Sequence, residues 1–199
     1  LQLTSDGEKH LQYGSWYGWY DKMEGENGDR PKRFSARWSE DSRYLITNLV
    51  DTRNAEKMYL LDWSIDSLFK PKLLSYYRGS PGDTAMVRLT PKIYEIETGK
   101  EIKTELPSNT HINSVSLAWA EKPNTLYVDY PERGYQKVHV GKISLPSGNY
   151  EELLLETSTT NIDQFQYHIL EKQGVMLFLS ERSGWNQLYM LNLETKDVS

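Results

Sequence analysis

The chain has 199 residues, of which 38% are hydrophobic and 12% aromatic, and its formal net charge is -5. This composition is typical of a folded globular protein, and the scattered acidic residues exclude the concentrated basic face that nucleic acid or an anionic membrane surface would attract. No apolar run approaches the length of about 18 residues that a transmembrane helix needs, and the absence of cysteine excludes disulfides and thiolate chemistry.

Short segments rich in β-branched and aromatic residues follow one another along the chain, separated by turn-forming residues. In chain order, the predicted strands are Tyr44–Val50, Lys57–Asp62, Lys92–Ile96, Ser114–Trp119, Leu126–Tyr130, Lys137–Ile143 and Val175–Leu179. The pattern contains no convincing amphipathic helix longer than about two turns. The chain is therefore predicted to be all-β.

Two landmarks recur along the chain in the same order. The first is an anchor that stands seven residues before an apolar partner, as in the pairs Trp38 with Leu45, Trp119 with Leu126 and Ile169 with Met176. The second is a turn, preceded by an acid and an arginine, that leads into the strands at Met58, Val138 and Leu188. Repeated units with a period near fifty, the spacing of Val138 and Leu188, are typical of β-propeller blades. A β-sandwich with chance similarity between hairpins is the alternative.

The repeats predict a partial β-propeller of about three blades. Its predicted parts are the edge of a preceding blade at 1–12, an aromatic and acidic insertion at 13–33, a blade at 34–105 with a long excursion at 63–83, a blade at 111–157 and an incomplete blade at 162–199. We expect the Met58, Val138 and Leu188 strands to be the third strands of their blades. So few blades would leave sheet faces uncovered, so we expect a fragment of a larger propeller.

Several stretches resemble the N-terminal propeller domain of the dipeptidyl peptidase IV branch of the prolyl oligopeptidase (S9) serine peptidase family. They are FSARWSEDSRYLI, KMYLLDW, PKLLSYYRGSPGDTAMVRLTPKIYEIETGK, RGYQKVHV and LSERSGWNQLYML. The most distinctive part is the excursion, where Tyr77, Gly79, Asp83 and Val87 fall on an extended segment of that family. The resemblance implies a propeller of about eight blades that caps an α/β-hydrolase domain further along the parent chain.

No catalytic residue is predicted within the chain. An α/β-hydrolase nucleophile needs the spacing G-x-S-x-G, which neither GSWYG at Gly14 to Gly18 nor RGSPGD at Arg78 to Asp83 provides. His139 and His168 fall within the repeats, which favours structural packing for both. No His and acid spacing suits a metal ion, and neither a metal nor another cofactor is expected. The acids Asp51, Glu132 and Glu181 and the arginines beside them are interpreted as structural rather than as a ligand-binding ring.

The aromatic and acidic insertion interrupts the repeats. In the resembled family, a short insertion at this place carries a tryptophan, a tyrosine and then paired glutamates that hold the free amino terminus of the substrate. The nearest match here is Tyr20-Asp21, with Lys22 where the second acid stands in the family. The resemblance therefore implies the candidate substrate-binding residues Trp16, Trp19, Tyr20, Asp21 and Glu24. An aromatic cluster that packs the insertion onto the propeller is the alternative.

Two functions are compatible with the sequence. The first is the noncatalytic, substrate-gating part of a serine-type dipeptidyl peptidase, a hydrolase of proteolysis that acts on peptides with a free amino terminus. The second is a propeller binding module in which Trp16, Trp19 and Tyr20 form a platform for a peptide or a carbohydrate. For the first function, the resemblance implies as partners a peptide substrate, the hydrolase domain of the parent chain and a second copy of the parent, and it implies a location in the periplasm or cell envelope.

Overall fold

The computed structural model describes residues 1–15, 34–63, 71–77, 79–163 and 165–199. These residues form two compact units, the first comprising Leu1–Glu101 and Pro107–Ser114, the second Ile102–Leu106 and Val115–Ser199. The strands in chain order are β1 Leu11–Tyr13, β2 Ala36–Trp38, β3 Tyr44–Asp51, β4 Met58–Asp62, β5 Lys72–Tyr76, β6 Arg88–Glu95, β7 Lys100–Ile102, β8 Asn109–Thr110, β9 Ser116–Trp119, β10 Thr125–Pro131, β11 Lys137–Ser144, β12 Asn149–Thr157, β13 Tyr167–Leu170, β14 Val175–Ser180 and β15 Gln187–Asn192. Two single-turn 3₁₀ helices, His111–Asn113 and Glu171–Gln173, complete the described elements. The prediction of an all-β chain is confirmed.

The first sheet has four strand positions, although six strands contribute to it. β3 and β6 form its centre and pair antiparallel from Tyr44 opposite Glu95 to Asp51 opposite Arg88. The other edge of β3 carries both β1 and β2, and the other edge of β6 carries β7 and β8. Leu11 and Gln12, predicted to belong to the edge of a preceding blade, thus lie in the same sheet as β3, because they pair with Asp51 and Val50.

The structure overturns the predicted position of the strand at Met58. The repeats predict it as the third strand of its blade, but β4 pairs with β5 in a separate two-stranded sheet, and β6 takes the third position beside β3. The reason is the burial pattern. A strand inside a blade needs apolar side chains on its covered faces, and β6 provides Leu89 and Ile93, which are 3% and 1% exposed. Four consecutive residues of β4 remain exposed.

The excursion after β5 returns to the first sheet through the residues that carry the family resemblance. Tyr77 packs against the core cluster of Val50, Val87 and Leu89. Gly79 passes so close to Met86 that a Cβ atom at this position would stand 2.6 Å from the Met86 sulfur. The carboxylate of Asp83 accepts a hydrogen bond of 2.6 Å from the backbone N–H of Ser80. The glycine and the acid therefore shape the turn that leads into β6.

The second unit contains two antiparallel meanders. β9, β10, β11 and β12 pair with their neighbours in chain order, with a β-bulge between Val140 and Gly141. β13, β14 and β15 pair in the same way, and Val198 bridges Leu191 on the free edge of β15. The predicted third-strand positions of Val138 and Leu188 agree with this strand order.

The two sheets of the second unit share one hydrophobic core. Val140 and Leu154 from the sheet of β9 to β12 pack with Met176, Phe178 and Leu191 from the sheet of β13 to β15. Alternate residues of β14 are buried, as expected for a strand with one face against this core. The apolar pattern therefore packs the two blade-like sheets face to face.

Candidate functional site

Both ends of the aromatic and acidic insertion lie at one point on the edge of the first sheet. Ser15 and Phe34 face each other in an antiparallel bridge. On either side of them, Gly14 donates its N–H to the carbonyl of Asn48 at 3.1 Å, and Ser35 donates its N–H to the carbonyl of Gly14 at 2.7 Å. β1 and β2 thus behave as one edge strand that the insertion interrupts, while β3 keeps its register.

Local contacts stabilise the place where the insertion leaves and rejoins the edge of the first sheet. Gly14 has a φ of 65°, and a Cβ atom there would stand 3.3 Å from the ring of Phe34. The hydroxyl of Thr47 donates a hydrogen bond of 2.6 Å to the carbonyl of Ser35. Tyr13 donates to the carboxylate of Asp6 at 3.1 Å, and burial together with this carboxylate raises the pKa of the phenol. The five candidate residues Trp16, Trp19, Tyr20, Asp21 and Glu24 lie outside the described residues.

The three acid and arginine pairs of the repeats differ in their contacts. In the first, Arg53 donates to both carboxylate oxygens of Asp51, at 3.0 and 2.7 Å, and also to Glu8 at 3.1 Å. The hydrogen bonds from Arg53 hold the pKa of Asp51 below its usual value. This pair stabilises the turn after β3.

In the second pair, the acid contacts a histidine and a lysine. Glu132 lies 3.1 Å from Nε2 of His139, and Glu152 lies 2.7 Å from Nδ1 of the same ring. The hydrogen bond to His139, followed by that to Lys137, lowers the pKa of Glu132. The imidazole also stacks on Tyr130, with ring centres 4.6 Å apart. The predicted packing role of His139 is thus accompanied by two carboxylate contacts that link β10, β11 and β12.

In the third pair, Arg182 contacts a distant acid in place of Glu181. Its Nη2 group donates to Glu156, a residue that is only 4% exposed. Ser180 donates to the other oxygen of Glu156 at 2.6 Å and accepts from Nε of Arg182 at 3.0 Å. This buried cluster joins β12 to the end of β14. Sequence reasoning missed Glu156, since only its burial among these partners distinguishes it from other acids in the chain.

A cavity of about 350 Å³ lies beside this cluster. It opens where the chain passes from β12 to β13 and where β14 turns into β15. Its lining consists of Glu156, Thr157, Ser158, Thr159, Ile162, Phe165, Leu179, Ser180, Glu181, Arg182 and Gly184. The described part of the chain therefore offers a mixed apolar and hydroxyl-rich concavity with one guanidinium group.

A glutamate stands two residues after each anchor of the first landmark, at Glu40, Glu121 and Glu171, and the last of these caps a turn. The carboxylate of Glu171 accepts the backbone N–H groups of Glu121 and Lys122 at 2.6 and 2.9 Å. Nearby, Tyr167 donates to Asp129 at 2.7 Å, and burial raises the pKa of this aspartate. Both contacts connect the two sheets of the second unit.

The described ranges contain neither a membrane-spanning helix nor a metal-binding cluster. No helix there is long and apolar enough to cross a membrane. The same residues contain no group of three or more His, Cys, Asp or Glu side chains arranged to hold a metal ion.

The family model described as the dipeptidyl peptidase IV (DPP IV) N-terminal region matches residues 1–199. The chain belongs to this family. No curated protein shows a significant match to it.

Two crystal structures are similar to this member of the DPP IV N-terminal region family. Porphyromonas gingivalis dipeptidyl peptidase 4 is 17% identical, with a TM-score of 0.68 over 96% of this chain and 26% of that chain. A provisionally assigned dipeptidyl aminopeptidase IV from Bacteroides ovatus ATCC 8483 is 16% identical, with a TM-score of 0.63 over 98% of this chain and 26% of that chain. The chain thus spans about a quarter of the length of these proteins. The similarity confirms the fold class, a partial β-propeller.

Proposed function

We propose that this chain forms the substrate-gating and amino-terminus-selecting part of the propeller of a serine-type dipeptidyl peptidase. In this proposal, Asp21 and Glu24 contact the free amino terminus of a peptide. Trp16, Trp19 and Tyr20 flank these acids. Family membership supports the propeller role, and the sequence of the insertion supports the choice of residues.

The observation that carries the proposal is the anchoring of the insertion. The bridge between Ser15 and Phe34 lets the chain leave the sheet edge and return to the same place, so that β1 and β2 both keep their pairing with β3. An insertion that served only to complete the packing of the blade would not need to interrupt an edge strand. Binding residues are commonly carried on segments that a rigid scaffold positions in this way.

The chemistry of the insertion suits an ammonium group. An amino terminus loses much of its hydration when it enters a cleft, and a carboxylate replaces that hydration through a charge-assisted hydrogen bond. Aromatic rings beside the carboxylate add a cation–π attraction. Because Lys22 stands where the resembled family has a second acid, we expect weaker selection for a free amino terminus than a glutamate pair would provide.

The catalytic groups belong, in this proposal, to an α/β-hydrolase domain of the parent chain. The sequence of this chain has no G-x-S-x-G motif from which a nucleophile could act. The peptide substrate and this hydrolase domain are two of the partners that we propose.

We further propose that the parent forms a homodimer, and the β4–β5 hairpin supports this. Tyr59, Leu61 and Trp63 are 62%, 54% and 72% exposed. Large apolar side chains exposed at alternate positions of one segment commonly mark an interaction surface. Replacing Leu61 by Asp in the full-length parent should halve its mass in sedimentation equilibrium, whereas an unchanged mass would contradict a dimer contact at this hairpin.

Kinetics of the full-length parent test the selection role. We expect Asp21→Ala to raise KM for peptides with a free amino terminus while leaving amino-blocked peptides nearly unaffected. Glu26→Ala, in the same insertion but outside the proposed contacts, serves as the matched control. Equal effects of Asp21→Ala on both substrates, or no effect on either, would mean that the insertion has only a packing role.

A further inference from the structure

The cavity beside Glu156 has the composition of a binding site. Its lining combines apolar side chains with hydroxyl groups and a guanidinium, and its volume of about 350 Å³ is within the range of small-ligand sites. The apolar members are Ile162, Phe165 and Leu179, and the polar members include Ser158, Thr159 and Arg182. All of them belong to the second unit, and no residue of the insertion at 13–33 lines the cavity.

Arg182 is held in one orientation at this cavity. It donates to Glu156 and Ser180, as described above, and its Cζ atom lies 5.1 Å from the ring centre of Phe178 and 5.2 Å from that of Tyr189. The phenylalanine is buried in the core of the second unit. A guanidinium fixed on four sides loses little further freedom when a ligand binds.

The remaining hydrogen-bonding capacity of Arg182 indicates the ligand chemistry. Nε and Nη2 are engaged, and no acceptor for Nη1 is found among the described residues. Glu156 already balances the positive charge, and Glu181 adds a negative charge to the lining. A bound anion would therefore lack electrostatic support, whereas a neutral carbonyl oxygen can accept from Nη1 at no such cost.

We propose that this cavity binds one apolar residue of a neutral peptide. The side chain of that residue lies against Ile162, Phe165 and Leu179, and its backbone carbonyl accepts a hydrogen bond from Arg182. The hydroxyl of Ser158 is engaged with Thr160, whereas the hydroxyl of Thr159 is available for an adjoining amide group. This site does not depend on the function proposed for the insertion, because no residue of the insertion contributes to it.

Ligand-observed saturation-transfer NMR on the full-length protein tests the site. The probes are N-acetyl-leucinamide, N-acetyl-glycinamide and acetate. We expect saturation transfer to the leucine methyl groups, a much weaker signal from the glycine compound and none from acetate. Thr159→Trp should abolish the leucine signal, because the indole ring would fill the cavity that Thr159 lines. Thr159 is exposed and lies outside the Glu156 cluster, so this substitution should leave the fold intact.

Matched variants separate binding from folding. Asn161→Trp adds the same bulk to an exposed residue two positions away that does not line the cavity, and it should keep the signal. Both tryptophan variants should keep the melting temperature of the parent. The proposal is overturned if the wild-type protein gives no leucine signal, if glycine and leucine compounds bind equally, or if both tryptophan variants behave alike.

Discussion

The side chain of Glu171 accepts the backbone N–H of Glu121 at 2.6 Å, so a residue of one repeat caps a turn of the preceding repeat. A second hydrogen bond, from Lys122 at 2.9 Å, completes the cap. Glu121 and Glu171 occupy the same position of the repeated sequence, fifty residues apart. The repeat therefore encodes contacts between blades as well as the strands within them.

Glu171→Ala should destabilise the second unit by about 1 kcal/mol, since two backbone donors lose their acceptor and regain only water. Thermal unfolding of the full-length protein should show a decrease in melting temperature of about 2–4 °C. Glu40→Ala is the matched control, because Glu40 holds the equivalent repeat position and is exposed. An equal decrease in both variants would show that the cap contributes nothing.

Glu156→Ala should be more harmful than the removal of any exposed acid. It leaves Ser180 buried without its acceptor and Arg182 without its counter-ion, and we expect a loss of about 3 kcal/mol in the free energy of unfolding. The control is Glu181→Ala, an exposed acid of the same turn, for which we expect a change within about 0.5 kcal/mol. Urea unfolding followed by tryptophan fluorescence compares the two, and similar midpoints would contradict a structural role for Glu156.

The Asp51 and Arg53 pair should make stability depend on pH. Because Arg53 lowers the folded-state pKa of Asp51, the contribution of the pair is present above the unfolded-state pKa of about 4. It is lost as the pH falls through the lower folded-state pKa. Arg53→Gln should therefore reduce the melting temperature at pH 7, and the difference from wild type should shrink at acidic pH. A difference in melting temperature that stays constant between neutral and acidic pH would show that the stabilisation by this pair is not ionic.

Gly141→Ala should destabilise the β-bulge in the sheet of β9 to β12. A Cβ atom at this position would stand 2.7 Å from the backbone oxygen of Glu151 and would also meet the ring of Tyr150, so the strands must separate. Overpacking of this kind costs about 1–3 kcal/mol. Gly7→Ala is the control, since its new Cβ would make only ordinary contacts at 3.8 Å. Equal melting temperatures for the two variants would contradict the steric constraint.

The repeated landmarks were predictable because cross-strand partners recur at short, fixed spacing. Trp38, Trp119 and Ile169 were expected to be equivalent, and each lies directly opposite its predicted landmark partner, namely Leu45, Leu126 and Met176. A turn of constant length sets this register locally, so alternating apolar residues and turn residues suffice to reveal it. The all-β class and the family likeness follow from the same local pattern.

The third strand of the first blade was not predictable in this way. Met58 fits the repeat frame, yet Arg88–Glu95 pairs with β3 after a long excursion, because its buried face completes the sheet. Pairing between strands separated by dozens of residues depends on which apolar face is covered, and a local window of sequence does not contain that information.

The Glu156 cluster depends most on tertiary structure. Glu156 and Arg182 are 26 positions apart, and each has a nearer residue of opposite charge in the sequence, Arg182 having Glu181 beside it. The sequence determined which strands and turns could form, since backbone preferences and apolar alternation act over a few residues. Only the packing of β12 against β14 decided which charges are buried together, because an ionised side chain enters a low-dielectric core only where its partner and hydrogen-bond donors are already in place.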